Sequence, residues 1–299
     1  MVGKTKPRLD YLGLSLVSGL GKYWHMLELR CTVRNCTHSL SLSESGLDCA
    51  AGHHFDRAKQ GYWNLTQPQD KKSVNAGDHL DAVLARHRWL QRGHAAGLVE
   101  TVKAWLPEVR SSWKVIDLGC GDGYCGSALF SQHANSYCGV DLSKPAIKLA
   151  ARSWPEATWV LANADNFLPV ADRSIDCAIS LFGRRPHQEI RRVLKPDGIF
   201  IAAVPGEEDL IELRGEIQQE GRRRNRVEAI IAEVETADLK CVGRTQWKTQ
   251  VQLEKEGIAD ALAMTYRAFR NSQQKIAATL SEATVTLSAD LMLFHVDEK

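Results

Sequence analysis

The stretch from Trp113 to Asp141, WKVIDLGCGDGYCGSALFSQHANSYCGVD, constrains the fold of this chain more than any other. An apolar run ends in Asp117, glycines follow at alternate positions (Gly119, Gly121 and Gly123), and a second apolar run ends in Asp141. That order predicts a strand, a tight turn, a helix and a second strand closing on an acid. Such a pair holds a nucleotide-like ligand in the crevice beyond the carboxyl ends of its strands. Downstream, short apolar runs keep alternating with helical segments. They predict strands over 114–120, 137–142, 158–162, 175–182 and 199–204, with helices starting near Tyr124, Ser143, Pro186 and Glu207. Two more strands are expected over 239–247 and 285–296, around a helix over 258–269. The expected class is α/β, a doubly wound and mostly parallel sheet.

The charges around the turn select the ligand. A dinucleotide needs G-x-G-x-x-G, so that its pyrophosphate can sit on the amino terminus of the helix. Here the spacing is G-x-G-x-G, with Asp117 two residues ahead and Asp122 inside the loop. Carboxylates so close would repel a pyrophosphate, but they suit the sulfonium and amino group of S-adenosylmethionine. Asp141 then takes the two ribose hydroxyls, because one carboxylate accepts two hydrogen bonds at once. The runs NADNFLPVADRSID (163–176) and VLKPDG (193–198) and a closing antiparallel strand suit a methyltransferase better than a dehydrogenase. In a protein without this ligand, Gly119 and Gly121 would only form a turn and Asp141 would only cap a helix.

Near the start, Cys31, Cys36, Cys49 and His53 fall as C-x4-C-x12-C-x3-H. Two close pairs about a dozen residues apart are what tetrahedral zinc requires, since each pair sits on a knuckle and the loop between them brings the knuckles together. The fourth donor has rivals in His54 and His38. SLSLSESGLD between the pairs alternates Leu with Ser, which suits a small β-ribbon, and so short a segment needs metal ligation to fold. The competing reading is two buried cysteines and an incidental pair.

Composition sets the remaining bounds. The chain has 299 residues, enough for one large domain and a small one. A net charge of +2 gives no global field for a polyanion, so any nucleic-acid surface must be local. Apolar runs such as 198–204 are strand-sized and predict no membrane span. Eight cysteines without secretory features point to reduced thiols, metal binding or core packing. The opening MVGKTKPRLDYLGLSLVSGLGKYW breaks its apolar patch with Gly and Ser and shows no cleavage site. It is expected to be a disordered extension, with Met26 as an alternative start.

Asp78 is placed to cap a helix in which Val83, Leu84, His87 and Leu90 recur at three- and four-residue spacing. Arg86, Arg88 and Arg92 are interleaved, which predicts an apolar face packed on the next domain and a solvated basic one.

Beyond these motifs, the chain resembles a specific family, the bacterial 23S rRNA (guanine-N1)-methyltransferases. The residues that carry the resemblance are Cys36-x12-Cys49-x3-His53, HFDRAKQGYWNL (54–65), NAGDHLDAVLARHRWLQRGH (75–94), DLGCGDGY (117–124) and VDLSKPAIKLAARSWPEA (140–157). RRVLKPDG (191–198), PGEEDLIELR (205–214) and MTYRAF (264–269) extend it from about residue 28 to the end. The resemblance implies a class I methyltransferase fold joined to a zinc ribbon that helps recognise an rRNA hairpin, in a cytoplasmic homodimer. It implies zinc on Cys31, Cys36, Cys49 and His53. It implies S-adenosylmethionine against Asp117, Gly119, Gly121, Asp122 and Gly123, its ribose at Asp141 and Leu142, its adenine edge near Asn163, and its methionine end near Asp209. The expected divisions are an extension over 1–27, the ribbon over 28–66, linking helices over 67–111 and the methyltransferase domain over 112–299. Three departures stand out. The first cysteine pair is two residues wider than the family's C-x2-C, Asn163 replaces a frequent Asp, and Asp209 replaces a frequent His.

The reaction expected from the resemblance is methyl transfer to N1 of a guanine in 23S rRNA. His187 and Asp209, just after strand ends, are candidates for the base, and the sequence chooses neither. For RNA the best-placed cations are Arg184 and Arg185 in RRPH, with RR (191–192) and RRRNR (222–226) as further clusters. Two other classes remain open at this point: a zinc-ribbon RNA-binding protein with an inactive methyltransferase fold, and a small-molecule methyltransferase.

Overall fold

The computed structural model describes residues 27–72, 77–107, 112–213, 226–264 and 280–297. The expectations for residues 1–26, for 222–225 of the arginine cluster and for the helix beyond Met264 lie outside them. An antiparallel ribbon comes first, with β1 (Leu40–Leu42), β2 (Gly46–Cys49) and β3 (His54–Asp56) in that order. After it, β4 (Trp63–Asn64) leaves the ribbon and α1 (Leu80–Gln91) and α2 (Ala96–Trp105) follow.

The α/β part begins with β5 (Val115–Leu118), α3 (Tyr124–Phe130), β6 (Tyr137–Asp141), α4 (Lys144–Ser153) and β7 (Thr158–Leu161). It continues through β8 (Ile175–Leu181), α5 (His187–Val193), β9 (Leu194–Pro205) and α6 (Val227–Glu235). It closes with β10 (Leu239–Glu254), α7 (Lys255–Ala263) and β11 (Glu282–Val296). One eight-stranded sheet runs β10-β11-β9-β8-β5-β6-β7-β4. Strands from β4 to β9 pair in parallel, while β11 lies antiparallel to both β9 and β10. β5 and β6 are buried almost throughout, as parallel strands covered on both faces must be. The chain reverses its direction of travel across the sheet between β5 and β8, and that switch point opens the crevice.

Several boundaries differ from expectation for physical reasons. β10 runs seven residues past Trp247 because its residues alternate half-buried with exposed, and polar side chains such as Lys248 and Gln250 suit the solvent face of an edge strand. β9 starts at Leu194, and a register shift between Ile175 and Cys177 of β8 accommodates the KPDG segment. The helix expected near Glu207 starts at Ile211, because Leu210 adopts a left-handed φ of 51° and holds a turn. The predicted cap at Asp78 is absent. α1 is capped at His79 with no side-chain bond, and the Asp78 carboxylate instead accepts from Arg86 at 2.6 Å.

The edge strand β4 had no sequence signal. Its two residues pair in parallel with Val160 and Leu161 of β7, so the chain leaving the ribbon extends the large sheet. Ribbon side chains Leu29, Leu47 and Phe55 share one apolar cluster with Trp63, Leu65, Val140, Val160 and Val170. Each large side chain buried there contributes about 1.5–3 kcal/mol. The backbone joins the two parts as well, since the amide of Arg30 donates to the carbonyl of Pro169 at 3.0 Å.

Candidate cofactor and metal sites

The turn after β5 has three left-handed glycines, with φ of 69° at Gly119, 59° at Gly121 and 80° at Gly123. A side chain is excluded at two of them by neighbours as well as by φ. A Cβ on Gly123 would lie 2.5 Å from the Trp159 ring, and one on Gly119 would lie 3.0 Å from Gly183 Cα. At Gly121 a Cβ would meet nothing within 4 Å, so this residue faces open space. That open, glycine-lined backbone fits a ligand passing close to the turn.

Asp141 fastens the loop. Its Oδ2 accepts from the Gly121 amide at 2.9 Å and its Oδ1 from the Ser143 amide at 2.7 Å. Each oxygen keeps a lone pair, which leaves capacity for two hydroxyl donors. Burial raises the Asp141 pKa, and these two amides work against the rise. Leu142, half-buried, lies between the two bonded residues.

Asp117 is buried beneath the loop and accepts the Tyr137 hydroxyl at 2.6 Å. Burial pushes its pKa up to about 7; the Tyr137 hydrogen bond opposes the shift and nearby Asp141 adds to it. A carboxyl with a raised folded pKa stabilises most below its unfolded value near 3.8, and this stability is lost as pH rises through about 7. The melting-temperature advantage of Asp117→Asn over the cofactor-free wild type is therefore expected to grow from pH 4 to pH 8. A difference that stays flat across that window in a scanning-fluorimetry series would contradict the assignment.

Asp122 is held from two sides. Its Oδ1 accepts the Tyr124 amide at 3.2 Å, and its Oδ2 lies 2.6 Å from His87 Nδ1 of α1. α1 thus crosses the cofactor loop. At one end Gly77 packs so tightly on Ser143 that a Cβ would lie 2.6 Å from its amide nitrogen. At the other, Arg88 and Arg92 both grip the buried Asp260 of α7, Arg88 through both carboxylate oxygens. The expected basic face is open to solvent, with Arg88 more than half exposed, and each of Arg86, Arg88 and Arg92 is in addition paired with a carboxylate. His87 was read as part of an apolar stripe because its helical spacing matched one. Only the packing of α1 on the loop shows its partner.

The other expected cofactor residues take distinct positions. Asn163 follows β7, its Oδ1 accepting from the Asp165 amide at 3.1 Å and its Nδ2 donating to Asp70 at 3.2 Å. Asp70, from the segment that leaves the ribbon, also accepts from Asn166 at 2.8 Å, a contact with no local sequence signal. Asp209 lies in the turn after β9 and accepts the Ser288 amide at 3.0 Å, so it ties that turn to β11. Arg184 and Arg185 lie in the turn after β8. Arg184 pairs with Asp165 at 2.7 Å, while Arg185 is half-buried and donates to the Gly183 carbonyl at 3.0 Å. His187 Nδ1 lies 3.7 Å from Glu233.

In the ribbon, donor atoms of Cys31, Cys36, Cys49 and His53 all lie within 4.8 Å of one another. The Cys36 and Cys49 sulfurs are 3.8 Å apart, and His53 Nδ1 is 3.4 Å from the sulfurs of both Cys31 and Cys49. Tetrahedral zinc with bonds of about 2.3 Å to sulfur and 2.0–2.1 Å to nitrogen requires edges of about 3.8 Å and 3.5 Å. The donor set fits the ion. His54 instead points its Nδ1 at Asp48, 2.6 Å away.

Comparisons with known proteins follow the same division. The model of the RlmA amino-terminal zinc ribbon matches residues 29–74, and a methyltransferase-domain model matches residues 115–198. The 23S rRNA (guanine(748)-N(1))-methyltransferase of Streptomyces fradiae is 30% identical over 260 residues, covering 85% of this chain and 90% of its own length. This chain belongs to the 23S rRNA (guanine-N1)-methyltransferase family. A further member from Micromonospora griseorubida is 28% identical, covering 89% of this chain and 95% of the relative. Among solved structures, a methyltransferase bound to the Haloferax volcanii Trm112 activator covers 75% of this chain and all of its own, with a TM-score of 0.51 at 19% identity. That likeness shows the class I methyltransferase fold. Family membership also sets aside the dehydrogenase reading of the glycine loop.

Proposed function

We propose that this chain transfers a methyl group from S-adenosylmethionine to N1 of a guanine in a 23S rRNA hairpin. The observation that carries the reading is the presence of a Cys3His cluster of zinc dimensions and a carboxylate-lined glycine turn in one molecule. A small-molecule methyltransferase would have no use for the ribbon, and an inactive fold no use for the buried acids around the turn.

When bound, S-adenosylmethionine would supply an electrophilic methyl group on a cationic sulfur, with a neutral thioether as leaving group, to a guanine N1 that gives up its proton. The chain supplies placement. Gly119, Gly121 and Gly123 let the backbone approach, Asp141 and Leu142 hold the ribose, and Asn163 meets the adenine edge. Asp117 and Asp122 face the cationic methionine end. Aligning donor and acceptor accounts for much of the rate in a transfer of this kind. Asp209, which accepts the Ser288 amide, and His187, whose Nδ1 lies 3.7 Å from Glu233 without a hydrogen bond, are not assigned as the base. Zinc on Cys31, Cys36, Cys49 and His53 folds the ribbon, which spans 28–66 and reads the hairpin. Residues 67–111 link it to the methyltransferase domain over 112–299. The active form is a cytoplasmic homodimer. No helix among the described residues is long and apolar enough to cross a membrane.

Mass mapping of 23S rRNA from cells with and without the protein tests the reaction. One guanine should lose a methyl group when the protein is absent, and an unchanged map would refute the reading. Arg184 and Arg185 are the proposed RNA contacts. Reversing charge with Arg185→Glu is expected to weaken rRNA binding about tenfold and to flatten its salt dependence. Equal affinity and equal salt slope would remove Arg185 from the interface.

A further inference from the structure

Phe182 combines two costly features. It is 48% exposed, and among the described residues only Leu80 and Val242 are similarly exposed large apolar side chains. Its φ is +64°, a left-handed conformation that a bulky side chain rarely adopts. The other bulky apolar residue with positive φ among the described residues, Leu210, is buried, so packing accounts for it. For Phe182 neither packing nor backbone preference gives a reason. Strain of this kind is held in place by the surrounding structure and collects at sites of function.

The surrounding turn holds it firmly. The Phe182 amide donates to the Ala203 carbonyl at 2.9 Å, and Ser180 Oγ donates to the Arg184 carbonyl at 3.0 Å. A Cβ on the next residue, Gly183, would lie 2.4 Å from the Leu118 carbonyl oxygen and 3.3 Å from Gly119 Cα. Phe182 is therefore one residue from direct contact with the cofactor loop. It directly follows β8 at the β5–β8 switch point, with Arg184 and Arg185 just beyond Gly183.

We infer that Phe182 is the stacking platform for the target purine, and this rests on the proposed rRNA reading. A guanine presents N1 to an enzyme only after leaving its stack, and its face then needs a replacement partner. An exposed ring beside the methyl-donor loop supplies that partner, while the two arginines suit the flanking phosphates. The left-handed backbone turns the ring out of the sheet toward solvent, where a base can reach it.

The test uses the full-length zinc-loaded protein, 23S rRNA from cells lacking it, and S-adenosylmethionine with a labelled methyl group. Phe182→Ala and Phe182→Gly are expected to lower kcat/KM for rRNA by about five- to 150-fold, the range of one lost base–aromatic stack. Phe182→Trp should retain near wild-type rates. Calorimetric affinity for S-adenosylmethionine should be unchanged in all three, and Phe182→Gly, freed of its strain, should melt no lower than wild type. Full activity in Phe182→Ala and Phe182→Gly would overturn the assignment. So would a loss of S-adenosylmethionine affinity that matches the loss of rate, because the ring would then serve the cofactor. If the wild type itself transfers no methyl to rRNA, the rRNA reading fails first and the stacking role with it.

Discussion

Cys49→Ser protein is expected to lose its zinc and the structure of the ribbon together. The ribbon has three strands of three or four residues, and its own apolar side chains are few. A segment of this size does not fold on burial alone, whereas structural zinc in small domains contributes about 10–16 kcal/mol. Cys49 lies at the centre of the cluster, 3.8 Å from the Cys36 sulfur and 3.4 Å from His53 Nδ1, so its loss breaks both knuckles. The effect should spread, because Phe55, Trp63 and Leu65 belong to the same apolar cluster as strands β6 and β7. Metal analysis and amide hydrogen exchange would check this. Wild-type protein should carry one zinc per chain and protect residues 38–56, and Cys49→Ser should do neither. One zinc retained with protection intact would exclude Cys49 as a ligand.

The second large effect is expected at Asp141. Asp141→Asn keeps the size of the side chain but replaces one acceptor with a donor. In the wild type both oxygens accept backbone amides, from Gly121 and Ser143. The asparagine NH2 must face one of those N–H groups, and a buried unpaired donor costs about 1–3 kcal/mol. Loss of a charged acceptor for the ribose hydroxyls removes about 1.5–3 kcal/mol more. The unpaired amide weakens the loop with or without cofactor, so the lost ribose contact sets the change in S-adenosylmethionine affinity, a fall of about ten- to 150-fold. Titration calorimetry measures it directly, and a variant that binds within a few-fold of wild type would show that the ribose lies elsewhere.

The parts of the molecule that were legible in the sequence are those specified by neighbours along the chain. The strand–turn–helix around Gly119 could be read because left-handed glycines and buried apolar runs are local requirements. The cysteine spacing was legible for the same reason, and it puts four donors within reach of one ion. What stayed hidden depends on distant partners. His87 and Asp122 are 35 residues apart, and Asp70 and Asn163 are 93 apart. Neither pair leaves a periodic trace. β10 was read short because an edge strand needs apolar residues on one face only. The carboxylate partner of two α1 arginines stayed hidden because Asp260 lies more than 160 residues away.

The short strand β4 has a bearing on the solubility of the whole chain. A parallel sheet covered on both faces still presents two margins of unpaired amides and carbonyls, and such margins recruit other chains into aggregates. At one margin the exposed positions of β10 are polar except Val242, which discourages further pairing. At the other, β7 is buried along its whole length and apolar after Thr158, and Trp63 and Asn64 cap its Val160 and Leu161. The segment leaving the zinc ribbon therefore also shields the edge of the methyltransferase sheet. A chain cut just beyond residue 66, designed to isolate the methyltransferase half, would expose β7 and aggregate for a reason unrelated to RNA.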